Sequence, residues 1–522
     1  MSSQKRGCRI KLPLITALAL LIVLSAVNVK IVGDPLTALT RHELTFEEFV
    51  DTVESRYSSD NFAGKSGFVN VNGLFARLTG RRVLNKVVRG TNGMLTGIVS
   101  DVDVTELAAS IEGFAKYLEE YEDIPFLYVQ LPYKSDLDGN FYPEGVTACA
   151  NQNTDHLLSC LNAAGVNALD MRPQLSQTSE MIQQYFYKTD HHWNPEGAFV
   201  AFREIMAELQ IQFPEGNIDM EYAQWEMWER HEKEDWFLGS WGKRVGQFFG
   251  GTDPLIWYTP QFETSMSCSI PKHGELHCGD FSAANIRTQY IEQRDLFGYN
   301  PYCVYIGGDY PLVQHRNLEA PSELRLLILK DSFTLPLQSY FSTVFQEVDV
   351  IDPRYFTECS ITEYAEWTRP DIVLFMINPS SLGGDKYKKL GTEQAIANHA
   401  REEAPIVSEQ GDIVLASDSS NNYRYATIPL EADSVYRVTF DCVDVVEGSP
   451  DGVALTLYNR TKEERTSNRL FDLNYYQVMD GYEWTFRTPK TEDTLQLLFY
   501  AGIYGSTAGN GLIYRNVILE KM

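Results

Sequence analysis

The chain has 522 residues, with 71 acidic and 44 basic side chains that give a net charge of −27. A chain of this length is too long for one hydrophobic core and predicts at least two folded units. The negative charge argues against binding nucleic acid or anionic lipid through a basic face, and it suits a secreted or surface protein.

An apolar run near the N-terminus predicts a membrane anchor. Residues 12–29, LPLITALALLIVLSAVNV, carry no charge and are long enough to span a bilayer. Four basic side chains lie within residues 1–11 and only Lys30 follows closely, so we expect residues 1–11 in the cytoplasm and the rest outside. The length of the run, and Leu24 where a cleavage site requires a small residue, favour an uncleaved signal anchor at the cell membrane.

Helix and strand patterns alternate after residue 104. The amphipathic stretch 104–121 predicts a helix, and the apolar stretch 124–132 predicts a buried strand. The alternation continues to PDIVLFMIN, another buried strand. We therefore expect residues 30–404 to form an α/β domain, with a mostly parallel sheet flanked by helices.

The pattern changes near residue 405. From there to residue 522 the sequence contains short strand patterns separated by turn residues, such as VYRVTFDCV and LQLLFYAG. This pattern is typical of an all-β sandwich. The stretch EEAPIVSEQGD is the candidate boundary between the α/β domain and this region.

Seven cysteines follow the apolar run. Cys268 with Cys278, and Cys149 with Cys160, are spaced so that either pair could close a loop by a disulfide, although spacing alone establishes neither. The absence of a Cys-x-x-Cys pair argues against a zinc ribbon.

The segment KTDHHWNPEGAF, residues 188–199, contains the start of a helix. Asn194 as N-cap, Pro195 at the first helical position and Glu196 in the first turn account for the second half of the segment. They do not account for the acid and the histidines that precede them.

Those preceding residues have a pattern of their own. On an extended chain His191 and His192 would point to opposite faces, so a shared metal ion is disfavoured, and His191 and Trp193 are expected to pack. Asp190 and His192 would share one face, with the carboxylate placed to orient the imidazole. Such a pair requires a nucleophile.

Ser332 is the candidate nucleophile. It follows the apolar strand LRLLILK and Asp331, at a junction where a helix begins. The end of a central strand is where α/β proteins place active sites, and a helix N-terminus there can support an oxyanion. The alternative is that Asp331 or Ser332 only caps the helix.

The ordered blocks resemble a known family. An Asp-x-His-Trp block followed by a strand-end Asp-Ser-Phe resembles the SGNH-hydrolase-like proteins, in particular the bacterial DHHW family, which is similar to the O-acetyltransferases that act on alginate. The blocks FLYVQLPYK, FLGSWGKRVGQFF, YIGGDYPL and VIDPRY agree in order, and the resemblance covers roughly residues 40–400. Lys330 departs from the pattern, because ordinary SGNH sequences place glycine before the Asp-Ser.

The resemblance implies roles for three side chains. Ser332 would carry the acyl group, His192 would act as general base and Asp190 would orient it. The implied function is a membrane-anchored, extracytoplasmic O-acetyltransferase that acts on a surface polysaccharide, without cofactor or metal. A membrane-bound acyltransferase would supply the acetyl group, because acetyl-CoA is absent outside the cell. A carbohydrate esterase with the same residues, and a non-catalytic polysaccharide-binding or assembly protein, remain alternatives.

Four further residues are candidates for oxyanion or substrate binding. The Ser332 N–H is the first expected oxyanion donor, and Gly307 or Gly308 could bring a second amide close, unless both only form a turn. Lys134 and Arg354 could bind an acidic sugar or could support the fold, and we favour support.

Aromatic side chains of the C-terminal region are candidates for sugar stacking. The relatives that act on alginate include members with a C-terminal carbohydrate-binding β-sandwich, which matches residues 405–522 in class. The candidates are Tyr475, Tyr476, Tyr482 and Trp484. The alternative is that they pack in the core, as most strand aromatics do.

Overall fold

A computed structural model describes most of the chain after residue 63. The described residues are 37–41, 45, 48, 52, 64–214, 216–357, 359–392, 406–415, 424–447, 454–459, 481–488, 491–501 and 511–522. The predicted anchor at 12–29 lies outside them. Among the described helices, none has the length and apolarity needed to cross a bilayer.

The helices of the described residues are short to medium in length. They are α1 Lys65–Leu78, α2 Thr105–Tyr117, α3 Ala150–Ala163, α4 Arg172–Leu175, α5 Ser179–Tyr185, α6 Pro195–Gln212, α7 Ser240–Val245, α8 Gln247–Gly250, α9 Phe281–Asn285, α10 Gln289–Glu292, α11 Leu335–Phe341 and α12 Ile361–Thr368.

The strands divide into those before and those after residue 400. The first group is β1 Val83–Leu84, β2 Val87–Arg89, β3 Leu95–Thr96, β4 Phe126–Gln130, β5 Ala168–Asp170, β6 Trp228–Phe237, β7 Asp253–Pro260, β8 Met266–Ile270, β9 Glu275–Gly279, β10 Leu312–Asn317, β11 Ser322–Lys330, β12 Phe345–Ile351 and β13 Ile372–Ile377. The second group is β14 Ile406–Leu415, β15 Arg424–Leu430, β16 Val435–Phe440, β17 Cys442–Glu447, β18 Ala454–Asn459, β19 Tyr482–Arg487, β20 Leu495–Ala501 and β21 Gly511–Lys521.

The described residues form two compact units. One comprises those within Met1–Asn85 together with Gly242–Gly251, and the other comprises Lys86–Trp241 with those within Thr252–Met522. The predicted boundary near residue 405 falls among residues 393–405, which lie outside the described part, and it stays a prediction.

A mixed sheet forms the centre of the second unit. Its described strands run in the order β5-β4-β13-β11-β12-β10-β8-β9. The five strands from β5 to β12 pair in parallel, as the alternating pattern predicted, whereas β10, β8 and β9 pair antiparallel. The β8–β9 connection is a short turn, which permits only antiparallel pairing.

Helices cover both faces of this sheet. Along β11, Leu327 and Leu329 belong to the same hydrophobic cluster as Phe114 of α2, whereas Leu326 and Ile328 belong to the cluster that contains α6. Alternate side chains of a strand point to opposite faces, so the sheet is buried on both sides. The expected α/β domain is confirmed, with a mixed rather than a mostly parallel sheet.

The C-terminal strands form antiparallel sheets. One has the order β14-β21-β16-β19 with β17 also paired to β21, and the other has the order β15-β20-β18. The Phe499 ring of one sheet packs against the Tyr514 ring of the other at a centroid distance of 5.1 Å. The all-β pattern after residue 405 is thus found in the described strands, and a carbohydrate-binding role stays a prediction.

Neither suggested disulfide is present. Cys268 and Cys149 carry free thiols. Cys268 lies opposite His277 in the β8–β9 pair, so it is one residue out of register with Cys278. Cys149 precedes α3 and Cys160 lies near the other end of this helix. The rise of the helix therefore places the two cysteines too far apart for a disulfide.

Candidate active site

Ser332 lies in a tight turn at the C-terminal end of β11. The strand ends at Lys330, Asp331 follows in an extended conformation, and Ser332 begins a 3-10 turn that leads into α11. The Asp331 carboxylate accepts a hydrogen bond from the Phe333 N–H at 3.0 Å and others from Asn378 beyond β13. Asp331 therefore caps the turn, and the Ser332 hydroxyl is left for another role.

Asp190, His192 and Ser332 form a continuous hydrogen-bonded line. The Ser332 Oγ lies 2.8 Å from His192 Nε2, and His192 Nδ1 lies 2.5 Å from Asp190 Oδ1. An ionised Asp190 only accepts hydrogen bonds, so Nδ1 carries the proton and Nε2 presents a lone pair to the serine hydroxyl. The predicted trio thus meets although 140 residues separate His192 from Ser332.

The histidines lie on a bent segment and not on the extended one that we expected. Residues 188–192 form a bend, and the flanking Phe186 and Trp193 pair in an antiparallel bridge. The His191 and His192 rings consequently lie 3.6 Å apart, so the expectation that they point to opposite faces is wrong. Asp190 turns toward His192 by accepting its backbone N–H at 3.1 Å.

The Asp190 carboxylate is fully buried and ionised. Burial alone would raise its pKa, but His191, His192 and the hydrogen bonds from His192 and Ser240 hold the pKa well below the usual range of an aspartate. The Ser240 N–H donates to Asp190 Oδ2 at 2.6 Å. Partial burial and the neighbouring His192 lower the pKa of His191 to about 3, so His191 is neutral at neutral pH.

A glycine allows this approach of the Ser240 segment. A Cβ on Gly239 would lie 2.3 Å from the Asp190 Cβ and 2.5 Å from the Asp190 amide nitrogen. Only glycine fits at that distance. The block FLGSWG therefore contributes to the site through its backbone.

Lys134 supports the backbone of the site. Its side chain is buried, and its ammonium group donates to the carbonyl oxygens of Leu95, Tyr187 and Asp190. Burial lowers the pKa of Lys134 to about 8, against the opposing effects of Asp253 and Asp190. Of the two roles considered for Lys134, the contacts match support of the fold.

Arg354 and Lys330 belong to a charge network behind Ser332. Arg354 contacts Asp309 at 2.9 Å and Asp352 at 2.5 Å, and Lys330 contacts Asp309 at 2.5 Å. Burial would lower the pKa of Lys330, but the two carboxylates raise it above its ordinary value. The contacts of Arg354 thus also match the supporting role. Lys330 stands where ordinary SGNH sequences have glycine, and here it forms a buried ion pair.

The two candidate glycines differ in their contacts. The Gly307 N–H donates to the carbonyl oxygens of Cys303 and Tyr305, at 3.1 and 2.7 Å, so it is not available to an oxyanion and that prediction is wrong. Gly308 has a φ of 156°, close to extended, and its role stays a prediction. The Ser332 N–H opens the 3-10 turn, so it has no acceptor within that turn.

Tyr302 was missed by the sequence reasoning. Its ring stacks on His192 at a centroid distance of 3.7 Å and an interplanar angle of 6°. Its hydroxyl donates to the carbonyl oxygens of Ser332 and Phe333, at 2.9 and 3.0 Å. Trp193, expected to pack, is buried and donates its indole N–H to the Phe333 carbonyl oxygen. Nothing in the sequence around Tyr302 indicates these long-range contacts.

The described sugar-stacking candidates, Tyr482 and Trp484, lie away from this site. Tyr475 and Tyr476 lie outside the described residues. Trp484 is 5% exposed and stacks on Phe486, and its role in sugar stacking stays a prediction. Tyr482 is half-buried, and its role stays a prediction.

Tyr482 and Trp484 line a polar cavity of about 310 Å³. Arg325, near the start of β11, also lines this cavity. It precedes Ser332 by seven residues, or roughly 20 Å of extended chain. The cavity therefore lies at the opposite edge of the parallel strands from the serine.

A metal ion is the alternative use of the acid–histidine segment. Among the described residues, Asp190, His191 and His192 are the group whose ligand atoms lie within 4.8 Å of one another. An ion there would compete with the existing hydrogen bonds from His192 and Ser240 to Asp190, and with the 2.6 Å contact between His191 Nδ1 and Ser240 Oγ.

Comparisons with known proteins agree with this architecture. Residues 95–235, which include Asp190 and His192 and end before Ser332, match the family model described as the SGNH hydrolase-like domain of acetyltransferase AlgX. No curated protein matches the sequence.

Three solved bacterial structures are among those that match the chain. PatB1 of Bacillus cereus is 24% identical, with a TM-score of 0.48, over 58% of this chain and 98% of its own. A DHHW family protein of Eubacterium siraeum is 18% identical, with a TM-score of 0.45, over 60% of this chain and 96% of its own. The O-acetyltransferase domain of Pseudomonas putida AlgJ is 12% identical, with a TM-score of 0.35, over 57% and 92%.

The family match covers two of the ordered sequence blocks, FLYVQLPYK and the Asp-x-His-Trp block, and it lies within the α/β domain that carries the site. Residues 95–235 are therefore similar to the SGNH hydrolase-like domain of acetyltransferase AlgX, and the resemblance predicted from the sequence is confirmed.

Proposed function

We propose that this protein is a serine-dependent O-acetyltransferase that acts on a polysaccharide. The observation that carries the proposal is the line from Asp190 through His192 to Ser332, with contacts of 2.5 and 2.8 Å. A serine, a base and an orienting carboxylate at these distances are the components of nucleophilic acyl transfer. The match of residues 95–235 to an acetyltransferase domain supports acetyl as the group transferred.

In the first half-reaction, Ser332 takes the acetyl group. His192 Nε2 accepts the hydroxyl proton while Ser332 Oγ attacks the acetyl carbonyl carbon of the donor. The tetrahedral intermediate collapses, the bond to the donor oxygen breaks, and that oxygen receives the proton from His192. Asp190 stabilises the transient imidazolium, because it remains an ionised hydrogen-bond acceptor at Nδ1.

In the second half-reaction, a sugar hydroxyl removes the acetyl group. His192 accepts the proton of this hydroxyl, whose oxygen attacks the acetyl-serine, and Ser332 leaves with a proton returned by His192. The Ser332 N–H is the donor we assign to the developing oxyanion, because it opens the 3-10 turn and points away from any partner within that turn.

Location and partners are part of the proposal. The apolar run at 12–29 would anchor the chain in the cell membrane with its bulk outside. Acetyl would then come from a membrane-bound acyltransferase, and the shared membrane would raise the effective concentration of the two partners.

The proposal is tested by trapping the acyl-enzyme. The full-length protein in detergent would be mixed with an activated acetyl ester, and both intact mass and acetate release would be recorded with and without chelator. We expect one added acetyl on Ser332 and turnover that is unaffected by chelator. Ser332→Ala should abolish the adduct and lower turnover by about 10³-fold or more, because the nucleophile is removed.

A matched variant controls for loss of a serine elsewhere. Ser282 is exposed on α9, so Ser282→Ala should label and turn over as the unmodified protein does. Turnover that is lost with chelator but kept in Ser332→Ala would support the metal alternative. Sugar binding without labelling or turnover would support a non-catalytic role.

The same residues could transfer acetyl to water, which would make the protein an esterase. The two reactions differ in the acceptor, so the acetyl-serine should be formed first and then offered a neutral oligosaccharide. Acetylated sugar as the main product supports the transferase, whereas free acetate at an unchanged rate supports the esterase.

A further inference from the structure

The imidazole ring of His192 lies between two other rings. The Tyr302 ring stacks on it at a centroid distance of 3.7 Å and an interplanar angle of 6°. The His191 ring lies 3.6 Å away at an angle of 38°. Two rings at these distances cannot share one face of an imidazole without overlapping, so they lie on opposite faces. The base of the proposed mechanism is therefore held from both sides.

The two stacked rings are themselves held in place. The Tyr302 hydroxyl donates to the carbonyl oxygens of Ser332 and Phe333, at 2.9 and 3.0 Å. The other ring is held by the 2.6 Å contact between His191 Nδ1 and Ser240 Oγ. Tyr302 thus joins the base to the turn that carries the nucleophile, through its ring on one side and its hydroxyl on the other.

Both stacked rings are neutral at neutral pH. Burial, with the charges of Asp309 and Asp190, holds the pKa of Tyr302 well above its ordinary value, so its hydroxyl keeps the proton that it donates. Burial and the neighbouring His192 lower the pKa of His191 to about 3, so this ring adds no positive charge. The face of a neutral aromatic ring attracts a cation that lies over it. The Tyr302 ring therefore favours the imidazolium that forms when His192 accepts a proton.

The contacts of His192 change once Ser332 has been acetylated. In the free protein the Ser332 hydroxyl lies 2.8 Å from His192 Nε2 and donates to it. In the acetyl-enzyme this oxygen belongs to an ester and has no proton to donate, so the hydrogen bond is lost. The imidazole then keeps the contact of Nδ1 with Asp190 and the two stacked rings. These contacts alone hold Nε2 where the incoming hydroxyl needs a base.

We propose that Tyr302 is a positioning residue that holds His192 for the second half-reaction, with His191 supporting the opposite face. The inference rests on the proposed acyl transfer and identifies the step that depends most on the stack. Addition of the acetyl group also has the hydrogen bond between Ser332 and His192, whereas its removal does not. Loss of the Tyr302 ring should therefore slow removal of the acetyl group more than its addition.

The inference is tested by separating the two half-reactions in the full-length protein in detergent. With p-nitrophenyl acetate, the burst of p-nitrophenol reports acetylation of Ser332. After excess ester is removed, the decay of the acetyl-enzyme, followed by intact mass, reports transfer of the acetyl group to water. Tyr302→Leu should slow this decay by about tenfold or more and the burst by less than about threefold. The rate constant of a first-order decay is independent of protein concentration, so loss of some folded protein would not imitate the result.

Two further variants separate stacking from general disturbance. Tyr302→Phe keeps the ring and removes only the hydroxyl, so its acetyl-enzyme should decay at a rate close to that of the unmodified protein. Trp257→Leu removes a comparable stack within the β6–β7 pair, where the His231 and Trp257 ring centroids lie 5.0 Å apart, and should change neither half-reaction.

Three outcomes would overturn the inference while leaving acyl transfer intact. They are decay at the unmodified rate in Tyr302→Leu, equal slowing of both half-reactions in that variant, and decay in Tyr302→Phe as slow as in Tyr302→Leu. Absence of any label on Ser332 of the unmodified protein would overturn acyl transfer itself, and this inference with it.

Discussion

Asp190 is the residue on which the charge state of the candidate site depends. It has no access to solvent, yet two imidazoles and the Ser240 N–H keep its pKa well below that of a free aspartate. An ionised carboxylate at this position selects the His192 tautomer that leaves Nε2 free to accept a proton from Ser332. The reactivity of the serine therefore depends on a group that the substrate does not touch.

Asp190→Asn should lower kcat/KM for an activated acetyl ester by about 10³–10⁴-fold, because an amide can donate to Nδ1 and favours the wrong tautomer. The measurement is a pH–rate profile together with thermal unfolding of the same preparation. Asp138→Asn, an exposed aspartate that binds Gln177, is the matched control and should leave the rate unchanged. A rate near the original in Asp190→Asn would rule out the orienting role.

His315 is a buried histidine away from the site, and it makes stability depend on pH. Burial lowers its pKa from 6.5 to about 3. As pH falls below about 6.5, the unfolded chain binds a proton that the folded chain does not, so the free energy of unfolding decreases until about pH 3.

His315→Leu should remove the contribution of His315 to the pH dependence of the free energy of unfolding. We expect the melting temperature to fall less between about pH 7 and about pH 4 than in the unmodified protein, whatever the change at pH 7 itself. The exposed His156 is the control, and His156→Leu should keep the original slope. An unchanged slope in His315→Leu would show that His315 takes up its proton at the same pH in the folded and unfolded states.

At the scale of elements, two connections define the site. The bend at 188–192 brings Asp190 and His192 together, and the turn after β11 presents Ser332 to them. Helix α6 begins where the sequence predicted, because the Asn194 side chain accepts the Gly197 N–H at 2.9 Å and Pro195 follows it. A cap is a local interaction, so it could be read from neighbouring residues.

Gly239→Ala should displace Asp190 and distort the bend at 188–192, because the new Cβ would lie 2.3 Å from the Asp190 Cβ. We expect a loss in kcat of about 10²-fold or more, since small displacements of oriented groups cost this much. The comparison is Gly113→Ala in α2, where a Cβ has nothing within 4 Å and should leave the rate unchanged. Equal rates in both variants would show that the site tolerates movement of Asp190.

At the scale of the whole molecule, we propose that the apolar run near the N-terminus places the chain at the membrane. The run at 12–29, with basic residues before it, predicts that the protein fractionates with membranes and resists extraction by carbonate. A variant that lacks residues 2–30 should appear in the supernatant and keep its turnover of a soluble acetyl ester. Full-length protein recovered without membranes would contradict the anchor.

The sequence by itself determined the features that depend on near neighbours. The strand and helix periods predicted the α/β domain and the strands after residue 405, and adjacent residues predicted the cap of α6 and the pairing of Asp190 with His192. The ordered blocks also indicated the SGNH hydrolase-like domain.

The tertiary structure alone decided what depends on distant contacts. It stacks Tyr302 on His192, turns the Gly307 amide to local carbonyls and packs Trp484 against Phe486. It also adds antiparallel strands to the parallel sheet. No local sequence pattern predicts these features, because each one depends on packing between elements that are far apart in the chain.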